Sequence, residues 1–114
     1  MHIEVLVEEP SAEAALENLL PKMLPSDTTF KLHNFQSKHT LLAELPKRLK
    51  GYGPWLPDDW RIVVLVDEDR QDCDELKARL ERAAGDAGLI TKSIAADQKS
   101  FQVLNRIVVE ELEA

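Results

Sequence analysis

The feature that most constrains the fold of this chain is an unbroken apolar run, Ile62–Val66, that leads directly into Asp67, Glu68 and Asp69. A short, mostly β-branched run of this kind predicts a strand buried on both faces, as in parallel α/β sheets. Ligands of such sheets bind beyond the carboxyl ends of the strands. The run therefore predicts a site in which the carboxylates of Asp67 and Asp69 turn toward one spot.

A second predicted strand, residues 3–8, also ends in acids, Glu8 and Glu9. If the two strands are neighbours, Glu8 lies beside Asp67 and Asp69. Carboxylate oxygens suit Mg²⁺ or Mn²⁺, and a third carboxylate would complete the metal shell or act as a general base. The alternative is that these acids only mark strand ends and cap the following helices.

Helices are predicted between the strands because apolar residues recur with helical spacing. Ser11 is predicted to cap the first helix, Pro21 to end or kink it, and Pro46 to kink the second or open a new turn. Segment 103–109 is predicted as a strand, although its spacing also fits a helix. The elements after the first strand are helix 12–20, strand 28–35, helix 40–50, loop 51–59, strand 62–66, helix 72–87, short strand 89–94 and strand 103–109.

This alternation predicts a single α/β domain over residues 1–114, with a three-layer, Rossmann-like, mainly parallel sheet and helices on both faces. No apolar stretch approaches the length of a membrane span and no signal peptide is evident, so we expect no membrane association and a cytoplasmic location. The lone Cys73 is predicted to be buried and unreactive. Trp55 and Trp60 are predicted to pin the loop to the core, the alternative being that they present a partner surface.

The net charge of −7 counts against an autonomous nucleic-acid binder, which needs a basic surface. Segment 38–50 is nevertheless basic and would suit a phosphate substrate beside an acidic site, the alternative being a solvated helix face. Phosphate-loop, dinucleotide-turn, zinc-site and serine-elbow motifs are all missing from the sequence. That leaves the carboxylates, with Lys38 as a nearby cation.

The acids at these strand ends resemble those of the Toprim (topoisomerase–primase) superfamily, which has a Glu after its first strand and Asp-x-Asp after a later one. Glu8 resembles the first acid, and Asp67 and Asp69 resemble the pair. Glu13 resembles the second acid in the Glu-Gly-x-x-Glu pattern of the overcoming-lysogenization-defect nucleases.

Over essentially its whole length, the chain is similar to a small bacterial family, domain of unknown function 4276. The stretches that carry this similarity are 5–13, 35–38, 59–67 and 104–114. Glu9 stands where Toprim proteins usually have Gly, and Ser37 stands where relatives usually have Gly before Lys38. Relatives continue past the last residues of this chain, so we expect the chain to be either a fragment or a natural short form.

The resemblance implies a Mg²⁺- or Mn²⁺-dependent phosphoryl-transfer site of nuclease type. Asp67 and Asp69 would bind the metal, and Glu8 would be the general acid/base or a further ligand. Such proteins are often encoded beside ATPases and act in DNA repair or phage defence, so nucleic acid and an ATPase are the expected partners. Supporting roles fall to Glu9, Glu13 and Lys38.

Two other functions stay open. One is a non-catalytic Toprim-like interaction module that pairs with an ATPase or with itself as a homo-oligomer. The other is a phospho-acceptor receiver domain, in which the paired acids Glu8 and Glu9 would accompany the acceptor Asp67, with Lys92 as the late lysine.

Overall fold

The computed structural model describes residues 1–67, 73–95 and 101–108, and within these ranges four strands alternate with three helices. Strand and helix alternate in the predicted order. The elements are β1 (His2–Val7), α1 (Pro10–Met23), β2 (Thr29–Asn34), α2 (Lys38–Tyr52), β3 (Trp60–Asp67), α3 (Cys73–Asp86) and β4 (Val103–Val108).

The strands form one sheet in the order β2-β1-β3-β4, and every neighbouring pair is parallel. The predicted α/β class, with a Rossmann-like parallel sheet and helices on both faces, is confirmed. The chain leaves β1 for β2 on one side and then returns past β1 to β3 on the other. The carboxyl ends of β1 and β3 therefore flank the point where the strand order reverses, which is where open parallel sheets bind ligands.

The main hydrophobic core lies between one face of the sheet and the helices α2 and α3. Alternate strand residues point into it because side chains of a strand alternate between the two faces. Leucines spaced by four residues bring one side of each helix onto this face. The buried members include Leu6, Ile62, Val64, Val66 and Val103 from the strands, Leu41, Leu45 and Leu49 from α2, and Leu76 and Leu80 from α3.

The other face of the sheet is covered less completely. Val5 and Val7 of β1 are buried on this side, where α1 packs against β1 and β2. No residue of α1 is itself buried, and Leu19 and Met23 are exposed. The fold is therefore held mainly by the α2 and α3 side, because buried apolar area is the largest stabilising contribution.

Helix boundaries differ from the predictions at the prolines. Helix α1 begins at Pro10 with Glu9 as its N-cap, so Ser11 is not the cap. Proline suits the first helical position, where its missing N–H would have no partner. Pro21 does not end α1, which runs to Met23. The helix is exposed there, so the carbonyl that loses its partner can bond to water.

Helix α2 is longer than predicted. It begins at Lys38, where the Ser37 hydroxyl accepts a hydrogen bond from the Thr40 N–H as the N-cap. It continues through Pro46 to Tyr52, so Gly51 and Tyr52 are helical and do not belong to the loop.

Three smaller predictions also need correction. Segment 89–94 is not a strand, since only Thr91 forms a single bridge, with Val103. Cys73 is half-buried and not fully buried. Trp55 is 54% exposed, so its ring is not buried in the core, although it contacts Tyr52 and the half-buried Trp60. No helix in the described parts of the chain has the length and apolar character needed to cross a membrane.

Candidate functional site

Glu8 and Asp67 meet at the carboxyl edge of the sheet. Glu8 directly follows β1, and Asp67 is the last residue of the neighbouring strand β3. The Glu8 Oε2 accepts a hydrogen bond from the Asp67 backbone N–H, with an N–O distance of 3.3 Å. This contact fixes the Glu8 carboxylate at the place where the strand order reverses.

Lys38 brings a cation to the same edge. It is the first residue of α2, and the Ser37 cap sets where that helix begins. The Lys38 Nζ donates to the backbone carbonyl oxygen of Asp67. Three of the predicted site residues, Glu8, Lys38 and Asp67, are thus brought together by β1, α2 and β3.

The surroundings of Glu8 shift its proton affinity. Burial raises the pKa of the Glu8 carboxyl, and the neighbouring charges of Asp67 and Glu9 raise it further. The hydrogen bond from the Asp67 N–H and the Lys38 ammonium lower it, but the balance leaves the pKa of Glu8 above its ordinary value. A carboxyl of this kind binds and releases a proton more readily near neutral pH than an exposed one.

The other two supporting acids have different surroundings. Glu13, in the first turn of α1, accepts a hydrogen bond from the Asn34 side chain at 2.6 Å. Glu9 is exposed, and its side chain makes no capping hydrogen bond to α1. Glu13 therefore ties α1 to the end of β2, while Glu9 acts on Glu8 only through its charge.

Asn34 and Gln36 are polar residues at this edge that the sequence analysis did not single out. Asn34 ends β2, and its Oδ1 accepts from the Gln36 side chain at 2.9 Å. Gln36 has a positive φ of 74°, which turns the chain sharply before Ser37 and α2. A polar residue at the end of a predicted parallel strand is a signal that would have found Asn34, because strand ends meet at one edge.

The carboxylates of Glu8 and Asp67 are the described side chains of this edge that could hold a divalent metal ion. Mg²⁺ often takes one or two carboxylates and keeps several water ligands. Within the described ranges, no group of three or more His, Cys, Asp or Glu side chains is arranged to hold a metal ion. Asp69, the other predicted ligand, lies outside the described residues.

A family model described as domain of unknown function (DUF4276) matches residues 7–114 of the chain. The matched range contains Glu8, Lys38 and Asp67. No curated protein and no solved structure matches the sequence.

Proposed function

This chain belongs to the family of the domain of unknown function (DUF4276), and we propose that it is a Mg²⁺-dependent phosphoryl-transfer domain of Toprim type that acts as a nuclease. The observation that carries the proposal is the meeting of Glu8 and Asp67 at the strand-order reversal, with Lys38 beside them. Acidic metal ligands with an adjacent cation are the groups that phosphoryl transfer requires.

Each residue has a separate part in this proposal. Asp67 would hold the metal together with Glu8, and Asp69 would add a ligand from the segment that follows β3. When bound, the metal would offset negative charge on a phosphate group. Glu8 would accept or supply a proton, and the Lys38 ammonium would keep the edge attractive to a phosphate despite the net charge of −7.

The test is metal binding together with cleavage. Titration calorimetry with Mn²⁺ compares the wild type with Asp67→Asn, Glu8→Gln and, as a matched control, Glu17→Gln. Glu17 is an exposed acid on α1. Its replacement by Gln removes one negative charge, as Asp67→Asn and Glu8→Gln do. We expect saturable binding and Mg²⁺-dependent nicking of supercoiled DNA by the wild type and the control, and the loss of both in Asp67→Asn. Glu8→Gln should lose nicking.

Circular dichroism separates chemistry from folding in these variants. An Asp67→Asn protein that stays folded and binds Mn²⁺ as the wild type does would contradict the proposal. Equal nicking by all four proteins would contradict it too, since that result would point to a contaminating nuclease.

A second candidate is the interaction module, and the exposed side of α1 favours it. Leu19 and Met23 lie four residues apart, on one face of the helix, and both are exposed. On this proposal the chain forms a dimer through α1 that survives Asp67→Asn and is lost in Leu19→Gln combined with Met23→Gln. Sedimentation velocity measures the dimer, and a monomer at all concentrations would rule out this second candidate.

A further inference from the structure

A cavity of about 780 Å³ opens at the opposite, amino-terminal edge of the sheet. It lies between the second half of α2 and the sheet, where β1, β2 and the start of β3 line it. Its volume falls in the range of about 300–1,000 Å³ that holds small organic molecules. Glu4, the cavity-lining residue of β1 nearest to Glu8, precedes it by four positions, a distance of about 13 Å along an extended strand.

Aromatic side chains form one wall of the cavity. Trp55 and Trp60 meet edge to face, with ring centroids 5.4 Å apart and an interplanar angle of 80°. Tyr52 lies beside Trp55 and His2 beside Trp60, at centroid distances of 5.7 Å and 4.3 Å. Because Trp55 stays 54% exposed, the wall offers a ring face at the mouth of the cavity. A planar ring would bury apolar area and stack there.

Positive charge collects around the same cavity. Lys31, Lys47 and Arg48 line it, and Glu44 is the acid at its rim. Neither Lys31 nor Lys47 forms an ion pair with any residue in the described ranges. In a chain of net charge −7, two ammonium groups at one cavity mouth, neither with an ion-pair partner among the described residues, favour an anionic ligand.

The inner end of the cavity holds a buried carboxylate, Glu4, which is 5% exposed. Its Oε1 accepts hydrogen bonds from His33 Nε2 at 2.7 Å and the Tyr52 hydroxyl at 2.8 Å, and its Oε2 accepts one from His2 Nε2 at 2.6 Å. The Arg48 guanidinium donates to His33 Nδ1 at 2.9 Å and so orients that ring. A carboxylate has about four acceptor positions, so Oε2 can accept one more hydrogen bond from a ligand.

We propose that this cavity binds a free mononucleotide, with the base against Trp55 and Trp60 and the phosphate between Lys31 and Lys47. A base amino or ring N–H group would donate to Glu4. The site is separate from the Glu8 and Asp67 edge, and its occupancy does not depend on the function proposed for that edge.

Intrinsic fluorescence reports on the site directly, because both tryptophans of the chain line the cavity. The probe is AMP, titrated into the full-length protein without divalent metal. Adenosine supplies the ring without the anion, and ribose 5-phosphate supplies the anion without the ring. We expect saturable quenching by AMP and binding of the two partial ligands that is weaker by at least about tenfold. No saturation by millimolar AMP, or equal binding of either partial ligand, would overturn the proposal.

Lysine variants locate the phosphate by calorimetry. Lys47→Gln should weaken AMP binding by about tenfold, the usual worth of a charge-assisted contact. Lys50→Gln is the matched control, since Lys50 is also exposed on α2 but does not line the cavity. Equal losses in both variants would show a general charge effect and contradict the site.

An oligonucleotide separates a free nucleotide from a nucleic-acid end. We expect a single-stranded oligoadenylate with a 5′-phosphate, followed by tryptophan fluorescence without divalent metal, to bind the cavity no more tightly than AMP, since Lys31 and Lys47 match a single phosphate group. Tighter binding of the oligonucleotide would overturn the assignment to a free mononucleotide.

Discussion

Tyr52 is the only tyrosine of the chain, and its hydroxyl is part of the buried network around Glu4. Burial raises the pKa of Tyr52 to about 12, and the adjacent Glu4 carboxylate raises it as well, while Arg48 lowers it. At Glu4 burial alone would raise the pKa, but hydrogen bonds from His2, Tyr52 and His33 bring it below its ordinary value. The phenol therefore stays protonated and the carboxylate stays ionised over a wide pH range.

Alkaline titration of the native protein tests this description of Tyr52. Absorbance near 295 nm should rise with a midpoint at about pH 12 in the folded protein and about pH 10 in denaturant. Since the folded pKa is the higher one, the folded state holds the proton more tightly. The free energy of unfolding should therefore decline as the pH rises from about 10 to 12. A native midpoint near 10 would contradict the buried hydrogen bond.

The acids of the Glu8 edge could be predicted from the sequence, whereas the contacts of Glu4 could not. Glu8 and Asp67 follow apolar strands, and parallel strands bring their carboxyl ends to one edge. Glu4 stands inside a strand, where its partners His33 and Tyr52 come from distant segments. Local spacing holds no information on such contacts. A charged residue in the middle of a buried strand was the available signal, because a buried charge needs partners.

At the scale of the elements, the starts of α1 and α2 show two ways to begin a helix. Ser37 caps α2 with its side chain, whereas α1 begins at Pro10 without a side-chain cap. The sequence analysis predicted Ser11 as the cap because Ser is a frequent N-cap residue. Proline at the first helical position moves the cap position back to Glu9.

Two alanine substitutions distinguish these helix starts. Ser37→Ala should lower the free energy of unfolding by about 1 kcal/mol, because the Thr40 N–H loses its acceptor. Ser11→Ala should change it by less than about 0.5 kcal/mol, since Ser11 is exposed and lies within the helix. Urea unfolding measures both. A larger loss of stability in Ser11→Ala than in Ser37→Ala would mean that Ser11 caps α1 and that the Ser37 cap contributes little.

Glu81 connects α3 to the far edge of the sheet. Its carboxylate accepts hydrogen bonds from the Thr91 hydroxyl at 2.5 Å and from the Asn105 side chain at 2.8 Å. Thr91 and Asn105 are both buried, and the Asn105 Oδ1 has no partner within the residues that the structure describes. Segment 89–94 is not a strand. The hydrogen bond from the Thr91 side chain to Glu81 therefore holds this segment in place of the backbone hydrogen bonds of a strand.

Replacement of Glu81 by Ala should therefore cost more than an ordinary surface change. The variant leaves two buried donors without an acceptor, at about 1–3 kcal/mol for each unsatisfied group. Glu17→Ala on α1 is the control, because that acid is exposed. Denaturant unfolding measures the difference. Equal stability of the two variants would mean that water replaces the carboxylate.

At the scale of the whole molecule, the two faces of the sheet contribute unequally to stability. The alternation of strands and helices was enough to predict the parallel sheet, because helical connections are what parallel strands need. It could not show that α1 buries none of its residues, since its apolar spacing is as regular as that of α2. Burial depends on how closely a helix approaches the sheet, and this depends on contacts outside the helix.

A matched pair of leucines measures this inequality. Leu80 on α3 is fully buried, whereas Leu19 on α1 is 49% exposed. Leu80→Ala should lower the free energy of unfolding by about 2–5 kcal/mol through lost burial and a cavity. Leu19→Ala should lower it by less than about 1 kcal/mol. Comparable losses in chemical denaturation would mean that α1 is covered in solution, as the interaction-module proposal requires.

The position of β1 also has a consequence for synthesis on the ribosome. This strand is made before the two strands it pairs with, which are β2, beginning at Thr29, on one side and β3, beginning at Trp60, on the other. The backbone donors and acceptors on its β3 side therefore have no lasting partners until β3 has emerged. A nascent chain of this kind exposes an apolar segment for as long as translation takes to reach Asp67. We expect the sheet to be completed late, because the pairing of β1 with β3 joins residues that are far apart in the sequence.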